Sequence, residues 1–320
     1  MYQIAENRSQ TRDLVVKFAL SFAAVIVLFY IRWKNVPHFD FQVWQAALEL
    51  AGSGRNPYNS DLLNDALREI AARDGGIYNE TNRNIYDMQF FNPPWWLVQI
   101  KLLSSSAFAM SAIGMTLAMG SLAWLGRELK DIDYLAAVIA PFYLIFGTFA
   151  VPTFNLGQTG FWLAGLFGLY LVLIRTRLSG IPLMAMAFKP HIALATGLGE
   201  FIRNPKYRLR YWVPVIAIAI GLTLVLFDPS LWVKYVEANL RSDLPAGADD
   251  MTLRTLSPRY LLPNWTNLVG LAAAVVIAVL TSLKWRQARP ELMALWTTSI
   301  VIFLSGHGFE HDWMWLIFVP

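Results

Sequence analysis

Cysteine is absent from this chain of 320 residues, and charged residues are scarce at 15%. Without cysteine the protein has no disulfide and no thiolate-bound metal, so redox chemistry gives no indication of its compartment. The formal net charge of +4 would suit a nucleic-acid-binding protein. However, the basic residues punctuate apolar runs instead of forming one patch, which excludes nucleic acid as a partner. Internal repeats and low-complexity stretches are also lacking.

Apolar residues, by contrast, make up 56% of the chain, with 13 Trp and 20 Phe among them. They form unbroken runs, several of which approach the roughly 20 residues that cross a bilayer. These runs predict an all-α polytopic membrane protein in which residues 1–320 form a single transmembrane domain. The first run is too long for the core of a signal peptide, so we expect it to be retained. The seven runs are Leu14–Trp33, Ser105–Leu125, Tyr134–Val151, Thr159–Ile174, Tyr211–Phe227, Thr266–Leu283 and Leu292–Ser305.

The orientation in the membrane follows from the basic residues. Fourteen of the 26 Lys and Arg residues lie in five short segments, at 8–17, 127–130, 175–177, 203–210 and 284–289. The positive-inside rule assigns these segments to the cytoplasm. The other face then receives the first outer loop (34–104), the second outer loop (228–264) and two short segments, 152–158 and 306–312. We therefore expect a multi-pass protein of the cytoplasmic membrane whose active site faces the periplasm or exterior.

Residues 178–202 conflict with a simple series of crossings, because both flanks are basic although the segment between them is apolar. A re-entrant hairpin resolves the conflict, with its tip at Lys189-Pro190-His191, where proline breaks the helix. Ionisable groups at membrane depth are expensive, so such a tip indicates a functional site. The alternative is a single tilted helix whose Lys189 extends to the interface.

The first outer loop carries two amphipathic helical patterns, Phe39–Leu50 and Ser60–Ala72. A third helix is predicted to begin at Pro93-Pro94-Trp95-Trp96 and to lie along the membrane interface, where Trp is favoured. At the other end, only nine residues follow His311, too few to cross the bilayer. We therefore expect a truncated C-terminus that lacks a last span.

Asp40 is the strongest candidate for a catalytic residue. It follows the first span and begins an amphipathic helix, where a partly desolvated carboxylate can act as a general base toward a hydroxyl. An acidic residue in a first helical turn is also favoured by the helix dipole alone, without any catalytic role. Position by itself favours this second interpretation.

Other candidates suit phosphate or sugar. Lys189 can provide a fixed positive charge for a phosphate on a lipid, and His191 can bond the same group. Asn155 and Gln158 offer amides for sugar hydroxyls or phosphate oxygens, although Asn155 can equally cap the next helix. Arg254 is a further candidate, although an arginine in an exposed loop is more often only solvated.

A cluster of His307, Glu310, His311 and Asp312 has the composition of a metal site, but its spacing is not that of a zinc-binding helix. A hard divalent ion is one possibility. We favour the other interpretation, in which His311 contacts phosphate or sugar.

Six segments in this order resemble glycosyltransferase family 87 over residues 35–320. They are Phe39-Asp40-Phe41-Gln42-Val43-Trp44, Gly54-Arg55-Asn56-Pro57-Tyr58, Phe91-Asn92-Pro93-Pro94, Asn155-Leu156-Gly157-Gln158, Phe188-Lys189-Pro190-His191 and His311-Asp312. The family includes polyprenol-phosphate-mannose-dependent α-mannosyltransferases of the GT-C superfamily. The sequence departs from the family pattern at Trp44, where Tyr is usual, and at Asn92-Pro93-Pro94, where a Tyr-Pro-Pro-like step is common.

The resemblance implies a GT-C-like transmembrane helix bundle that transfers a sugar with inversion. Its donor would be a polyprenyl-phosphate sugar, and its acceptor a hydroxyl of a glycolipid or polysaccharide. By this analogy Asp40 is the base, Lys189 and His311 hold the donor phosphate, and Gln158 seats the sugar or carrier. No metal and no cofactor beyond the donor substrate are expected, because the leaving group is a phosphate monoester.

Two other functions remain open on sequence alone. A transporter or flippase would also use an intramembrane lysine and a broken helix, but repeats are lacking and the first outer loop is large. An oligosaccharide ligase would use a pyrophosphate-linked donor and need a more basic outer face. The predicted outer segments, with the hairpin tip included, contain 11 Lys and Arg against 15 Asp and Glu, which favours a monophosphate donor.

Overall fold

The computed structural model describes residues 39–74, 90, 92–103, 107–129, 159–241, 265–304 and 318, together with seven positions between 16 and 31. Across these residues the fold is helical and contains no strand. Two short 3-10 helices, at Arg177–Ser179 and Met186–Phe188, flank α6. The α-helices are α1 (Phe39–Gly52), α2 (Ser60–Asp74), α3 (Pro94–Leu103), α4 (Ala107–Leu129), α5 (Gly160–Leu173), α6 (Gly180–Ala185), α7 (Pro190–Arg203), α8 (Pro205–Leu226), α9 (Leu231–Arg241), α10 (Trp265–Lys284) and α11 (Pro290–Leu304).

Five of the seven predicted apolar runs coincide with described helices, namely α4, α5, α8, α10 and α11. The segments Phe108–Leu125 of α4 and Pro205–Leu226 of α8 are long and apolar enough to cross a membrane. The 22 residues of α8 extend about 33 Å, close to the thickness of the hydrocarbon core. The run Tyr134–Val151 and most of Leu14–Trp33 lie outside the described residues. The chain is thus a helical membrane protein.

The two amphipathic helices predicted in the first outer loop are confirmed as α1 and α2. Helix α1 ends where Gly54 adopts a left-handed conformation with φ 73°, which a residue without Cβ adopts freely. The N–H of Arg55 then donates to the carbonyl of Leu50 at 2.8 Å, closing the last turn. Helix α2 starts after Asn59, whose side-chain oxygen accepts the N–H of Leu62 at 3.0 Å.

Helix α3 begins at Pro94 as predicted. Trp96, Leu97, Val98 and Ile100 are all buried, so the helix is covered on most of its circumference by protein. Its position along a membrane interface stays a prediction, since tryptophan suits both a headgroup region and an aromatic core.

The segment from α6 to α7 forms a helical hairpin that reverses at Lys189. Leu183 of α6 lies against Gly197 of α7. A Cβ added to Gly197 would come within 2.9 Å of the Cδ2 atom of Leu183. At the open end of the hairpin, Arg208 donates to Ser179 Oγ at 2.9 Å and to Glu200 Oε2 at 2.6 Å. Both ends of the segment therefore meet at the start of α8, and Lys189 lies at the far end of α7.

Close contacts between small residues join the apolar helices. A Cβ on Gly114 of α4 would collide with the backbone of α5 at Phe161, and one on Gly165 would collide with the backbone of Gly114. On α7 and α11, the hydroxyls of Thr196 and Thr298 are 2.9 Å apart in a buried hydrogen bond. Such contacts are typical of helix packing in membranes, where small residues allow backbones to approach and hydroxyls bond between helices.

Candidate active site

Asp40 lies in the first turn of α1, outside the apolar helices, and its side chain is partly buried. Burial raises the pKa of Asp40 from an ordinary 3.8 to about 7, and the positive charge of Lys189 acts in the opposite direction. The start of α1 and the tip of the hairpin are therefore close enough for the charges of Asp40 and Lys189 to interact. A carboxyl group that titrates near neutrality is suited to accept a proton during catalysis.

An aromatic chain connects α1 with the hairpin tip. The rings of Trp44 on α1 and Trp96 on α3 meet edge to face, with centroids 5.2 Å apart. Trp96 in turn packs against Phe188 at 4.4 Å, and Phe188 directly precedes Lys189. Trp96 and Phe188 are almost completely buried, so they fix the relative positions of the two segments that carry the charges.

Side-chain donors satisfy the backbone of the hairpin where its helix is interrupted. Pro190 has no N–H and starts a new helix, so carbonyl groups before it lose their regular helical partners. Buried carbonyls need substitute donors, because leaving one unpaired is costly. The substitutes all come from residues 92–99: Trp95 Nε1 donates to the carbonyl of Met184 at 2.9 Å, Gln99 Nε2 to that of Ala185 at 2.8 Å, and Asn92 Nδ2 to that of Phe188 at 3.4 Å.

Gln99 is itself held by α5. Trp162 donates from its indole nitrogen to Gln99 Oε1 at 3.1 Å in a buried hydrogen bond. Neither Gln99 nor Trp162 was among the residues predicted from the sequence. A signal was present, because Gln99 is a lone amide in an apolar helix, and polar residues in such helices usually bond another segment.

The Asn-Pro-Tyr segment after α1 also reaches this region. Asn56 Oδ1 accepts the N–H of Tyr58 at 3.1 Å, which fixes the turn. The hydroxyl of Tyr58 then donates to the carbonyl of Asn92 at 3.0 Å. Its ring packs against Phe90 at 5.3 Å and against Tyr235 of α9 at 5.8 Å. Tyr58 thus ties the turn after α1 to the residue that supports the hairpin tip.

Three of the predicted site residues are described. Asp40 and Lys189 come together, and His191 follows in the first turn of α7 with a partly buried side chain. The others lie outside the described residues, namely Asn155, Gln158, Arg254 and His311 with its neighbours His307, Glu310 and Asp312.

Chemically, a carboxylate of raised pKa beside a fixed ammonium group can remove a proton from a hydroxyl and stabilise an anion formed nearby. These features define a helical membrane protein in which a carboxyl group of raised pKa and an ammonium group lie near a broken helix.

The sequence model of glycosyltransferase family 87 matches residues 90–306, more than half of the chain, and the protein belongs to this family. It is therefore a glycosyltransferase, with a sugar donor and an acceptor as substrates. The matched range includes Lys189 and His191 but begins after α1, so the case for Asp40 rests on its position and environment. Among curated proteins and solved structures, none matches this chain.

Proposed function

We propose that this glycosyltransferase moves a hexose, mannose in the first instance, from a polyprenyl-phosphate donor to an acceptor hydroxyl on a glycolipid or polysaccharide. The observation that carries the proposal is the raised pKa of Asp40 beside the charge of Lys189. A base and a phosphate-binding cation are the two groups that such a transfer needs. The motifs around them resemble those of polyprenol-phosphate-mannose-dependent members of the family.

In the proposed step, the acceptor oxygen attacks the anomeric carbon from the face opposite the phosphate. The acceptor proton passes to the Asp40 carboxylate as the new carbon–oxygen bond forms. The bond between the anomeric carbon and the phosphate oxygen breaks, and its electron pair leaves with the polyprenyl phosphate. Direct displacement inverts the anomeric centre. The leaving phosphate gains one negative charge, which the ammonium of Lys189 stabilises.

The remaining candidates take supporting roles in the proposal. His191 and His311 bond the donor phosphate, and Arg254 contributes positive charge toward it. Asn155 and Gln158 seat the sugar or the carrier. A metal ion is not required, since a lysine suffices for a monoester leaving group.

The site is proposed to face the periplasm or exterior of a multi-pass protein in the cytoplasmic membrane. The basic segments beside the described helices support this orientation. The hairpin of α6 and α7 is proposed to enter the membrane from the cytoplasmic side and to present Lys189 at its tip. The bonds from residues 92–99 to its interrupted backbone support this arrangement, because irregular backbone at membrane depth must be satisfied by protein groups.

The test is transfer of [14C]mannose from synthetic polyprenyl-phosphate mannose to lipid extract in proteoliposomes. Asp40→Asn removes the base while keeping the shape of the side chain, and transfer should fall by about a hundredfold or more. Asp61→Asn is the matched control, since Asp61 is also a first-turn aspartate of an amphipathic helix but is exposed.

The outcomes separate the parts of the proposal. Transfer that Asp40→Asn abolishes and Asp61→Asn preserves supports both the donor and the base. Transfer that survives Asp40→Asn would place the base elsewhere. If another lipid-linked sugar is transferred and mannose is not, the sugar assignment is wrong.

A further inference from the structure

A second polar site lies at the end of α7 opposite Lys189. The 14 residues of α7 place the two ends about 20 Å apart, so this site is separate from the candidate active site. It is a cavity of about 590 Å³ between the ends of α5 and α7, the start of α8 and the turn that joins α10 to α11. Its lining includes four arginines, one glutamate and one tyrosine, namely Arg175, Arg203, Arg208, Arg286, Glu200 and Tyr207.

Two of the arginines are committed to the fold. Arg208 is only 4% exposed and holds Glu200 at 2.6 Å. The side chain of Arg203 is 8% exposed, pairs with Glu200 at 3.4 Å and donates to the carbonyl of Trp285 at 2.8 Å. Both guanidinium groups share a single carboxylate, so one positive charge is left over at the wall of the cavity.

The other two arginines are accessible. Arg175 binds Glu291 through two of its nitrogens, at 3.0 and 3.2 Å, while its side chain remains 64% exposed. Arg286 is exposed and has no hydrogen bond or ion pair within the described part of the chain. Four guanidinium groups therefore face two carboxylates, and the donors of Arg286 are available to a ligand. A guanidinium fork of this kind matches the oxygens of a phosphate.

The surroundings of the cavity indicate that the phosphate belongs to a lipid. Tyr207, Pro214, Ile218 and Val225 lie on one face of α8, because their spacings are close to whole helical turns. All four are exposed, as is most of the apolar surface of α8 around them, so the cavity adjoins an apolar helix surface about 27 Å long. A soluble phosphate compound would have no use for such a surface, whereas acyl chains would lie along it.

Two tryptophans mark the same level of the molecule. Trp285 and Trp296 are 50% and 39% exposed, and their rings meet at 6.3 Å. Exposed tryptophans of membrane proteins gather at the headgroup level. The backbone carbonyl of Trp285 is the one that Arg203 holds, so this level coincides with the cavity.

We propose that the cavity binds the phosphate headgroup of an anionic phospholipid, with Arg286 as its principal contact and the acyl chains along α8. Basic pockets between membrane helices are known to bind such headgroups. The bound lipid would link the end of α7 to the start of α8, since Glu200 and Arg203 belong to α7 and Arg208 to α8. The proposal does not depend on the donor or the acceptor of the transferase.

The test measures binding rather than activity. The full chain in detergent is titrated with phosphatidylglycerol, or with phosphatidylcholine carrying the same acyl chains, and its Tm is followed by tryptophan fluorescence. Phosphatidylglycerol should raise the Tm, by an amount that grows with the logarithm of its concentration above the Kd. Arg286→Gln should weaken this response about tenfold in apparent Kd, the loss expected for one charge-assisted contact. Lys284→Gln is the matched control, because it removes one charge from a neighbouring exposed position that does not line the cavity.

Several results would overturn the assignment. Equal losses in Arg286→Gln and Lys284→Gln would indicate general attraction to the basic surface rather than this cavity. An equal response to phosphatidylcholine would remove the role of charge. An equal response to inorganic phosphate or glycerol phosphate would identify a soluble ligand in place of a lipid. The lipid-free Tm of each variant shows that it folds, and Arg286→Glu should abolish the response to phosphatidylglycerol.

Discussion

The environment of Asp40 predicts how the transferase responds to pH. Its carboxyl group is partly buried and titrates at about 7, and it must be ionised to accept a proton. At pH 6 about one molecule in eleven carries the ionised form, and at pH 8 about ten in eleven do. We therefore expect kcat/KM to rise about tenfold from pH 6 to pH 8 and then to level off. A carboxyl group of ordinary pKa would give a flat profile across this range.

Lys189 provides the sharper part of this prediction. Its positive charge lowers the pKa of Asp40 against the larger effect of burial. Lys189→Met removes that charge, so the pKa of Asp40 should rise and the inflection of the pH profile should move above 7. Lys189→Arg keeps the charge and should leave the inflection near 7. This shift in the pH of the inflection is independent of any fall in overall rate that weaker phosphate binding causes.

The assay is the initial rate of sugar transfer at low donor concentration, measured at half-unit steps from pH 5 to pH 9 in the native chain and both variants. An inflection below pH 5 in the native chain would show that Asp40 is not the titrating base. An unchanged inflection in Lys189→Met would show that the two charges do not interact, and the site as described would be wrong.

The same shift in pKa acts on stability with a definite sign. The pKa of Asp40 in the folded chain lies above the value of about 3.8 expected when unfolded. Its contribution to the free energy of unfolding is therefore fully present below pH 3.8 and is lost as the pH rises through 7. Asp40→Asn stays neutral, so its Tm should exceed that of the native chain at pH 8. A variant that is inactive yet more stable cannot owe its inactivity to unfolding.

Three further perturbations test the fold around the site. Gly165→Ala should lower the free energy of unfolding by about 1–3 kcal/mol, because the new methyl group collides with the backbone of α4. Gly120→Ala is the control: it has open space around it and should raise the Tm slightly. A loss of stability confined to Gly120→Ala would contradict the packing. Gln99→Leu removes a buried donor and acceptor and should cost about 1–3 kcal/mol in thermal unfolding, and an unchanged Tm would mean that these bonds do not hold the hairpin. Since the chain lacks cysteine, single substitutions Glu69→Cys and Gln287→Cys report topology directly. A membrane-impermeant maleimide applied to intact cells should label the first and not the second, and the reverse pattern would invert the proposed orientation.

Local patterns predicted most of the helices correctly. The amphipathic spacing in the first outer loop gave α1 and α2 to within two residues at their ends, since such spacing is a property of consecutive residues. The helix break before Pro190 was also predictable from proline chemistry alone. The burial of α3 was not predictable, because burial depends on what packs against a helix, which its own sequence does not contain.

Contacts between distant segments were beyond reach. Gln99 and Ala185 are 86 positions apart, and neither residue has a pattern that indicates the other. The arginines near residues 203–210 were interpreted only as a topology signal. Their ion pairs with Glu200 are local in sequence, but the cavity beside them also needs Arg175 and Arg286, which come from distant parts of the chain.

The position of the proposed phosphate-binding lysine depends on residues that take no part in the chemistry. At the tip of the hairpin, donors from residues 92–99 replace the backbone bonds that the proline break removes. At the open end, Arg208 bonds Glu200, Ser179 and the carbonyl of Ile174, and so ties α5, α7 and α8 together. Removing one partner of a buried ion pair leaves the other charge uncompensated, at a cost of about 3–5 kcal/mol. An interrupted helix can therefore hold Lys189 in a fixed place because both of its ends are bonded to neighbouring helices, and its charge can act steadily on Asp40.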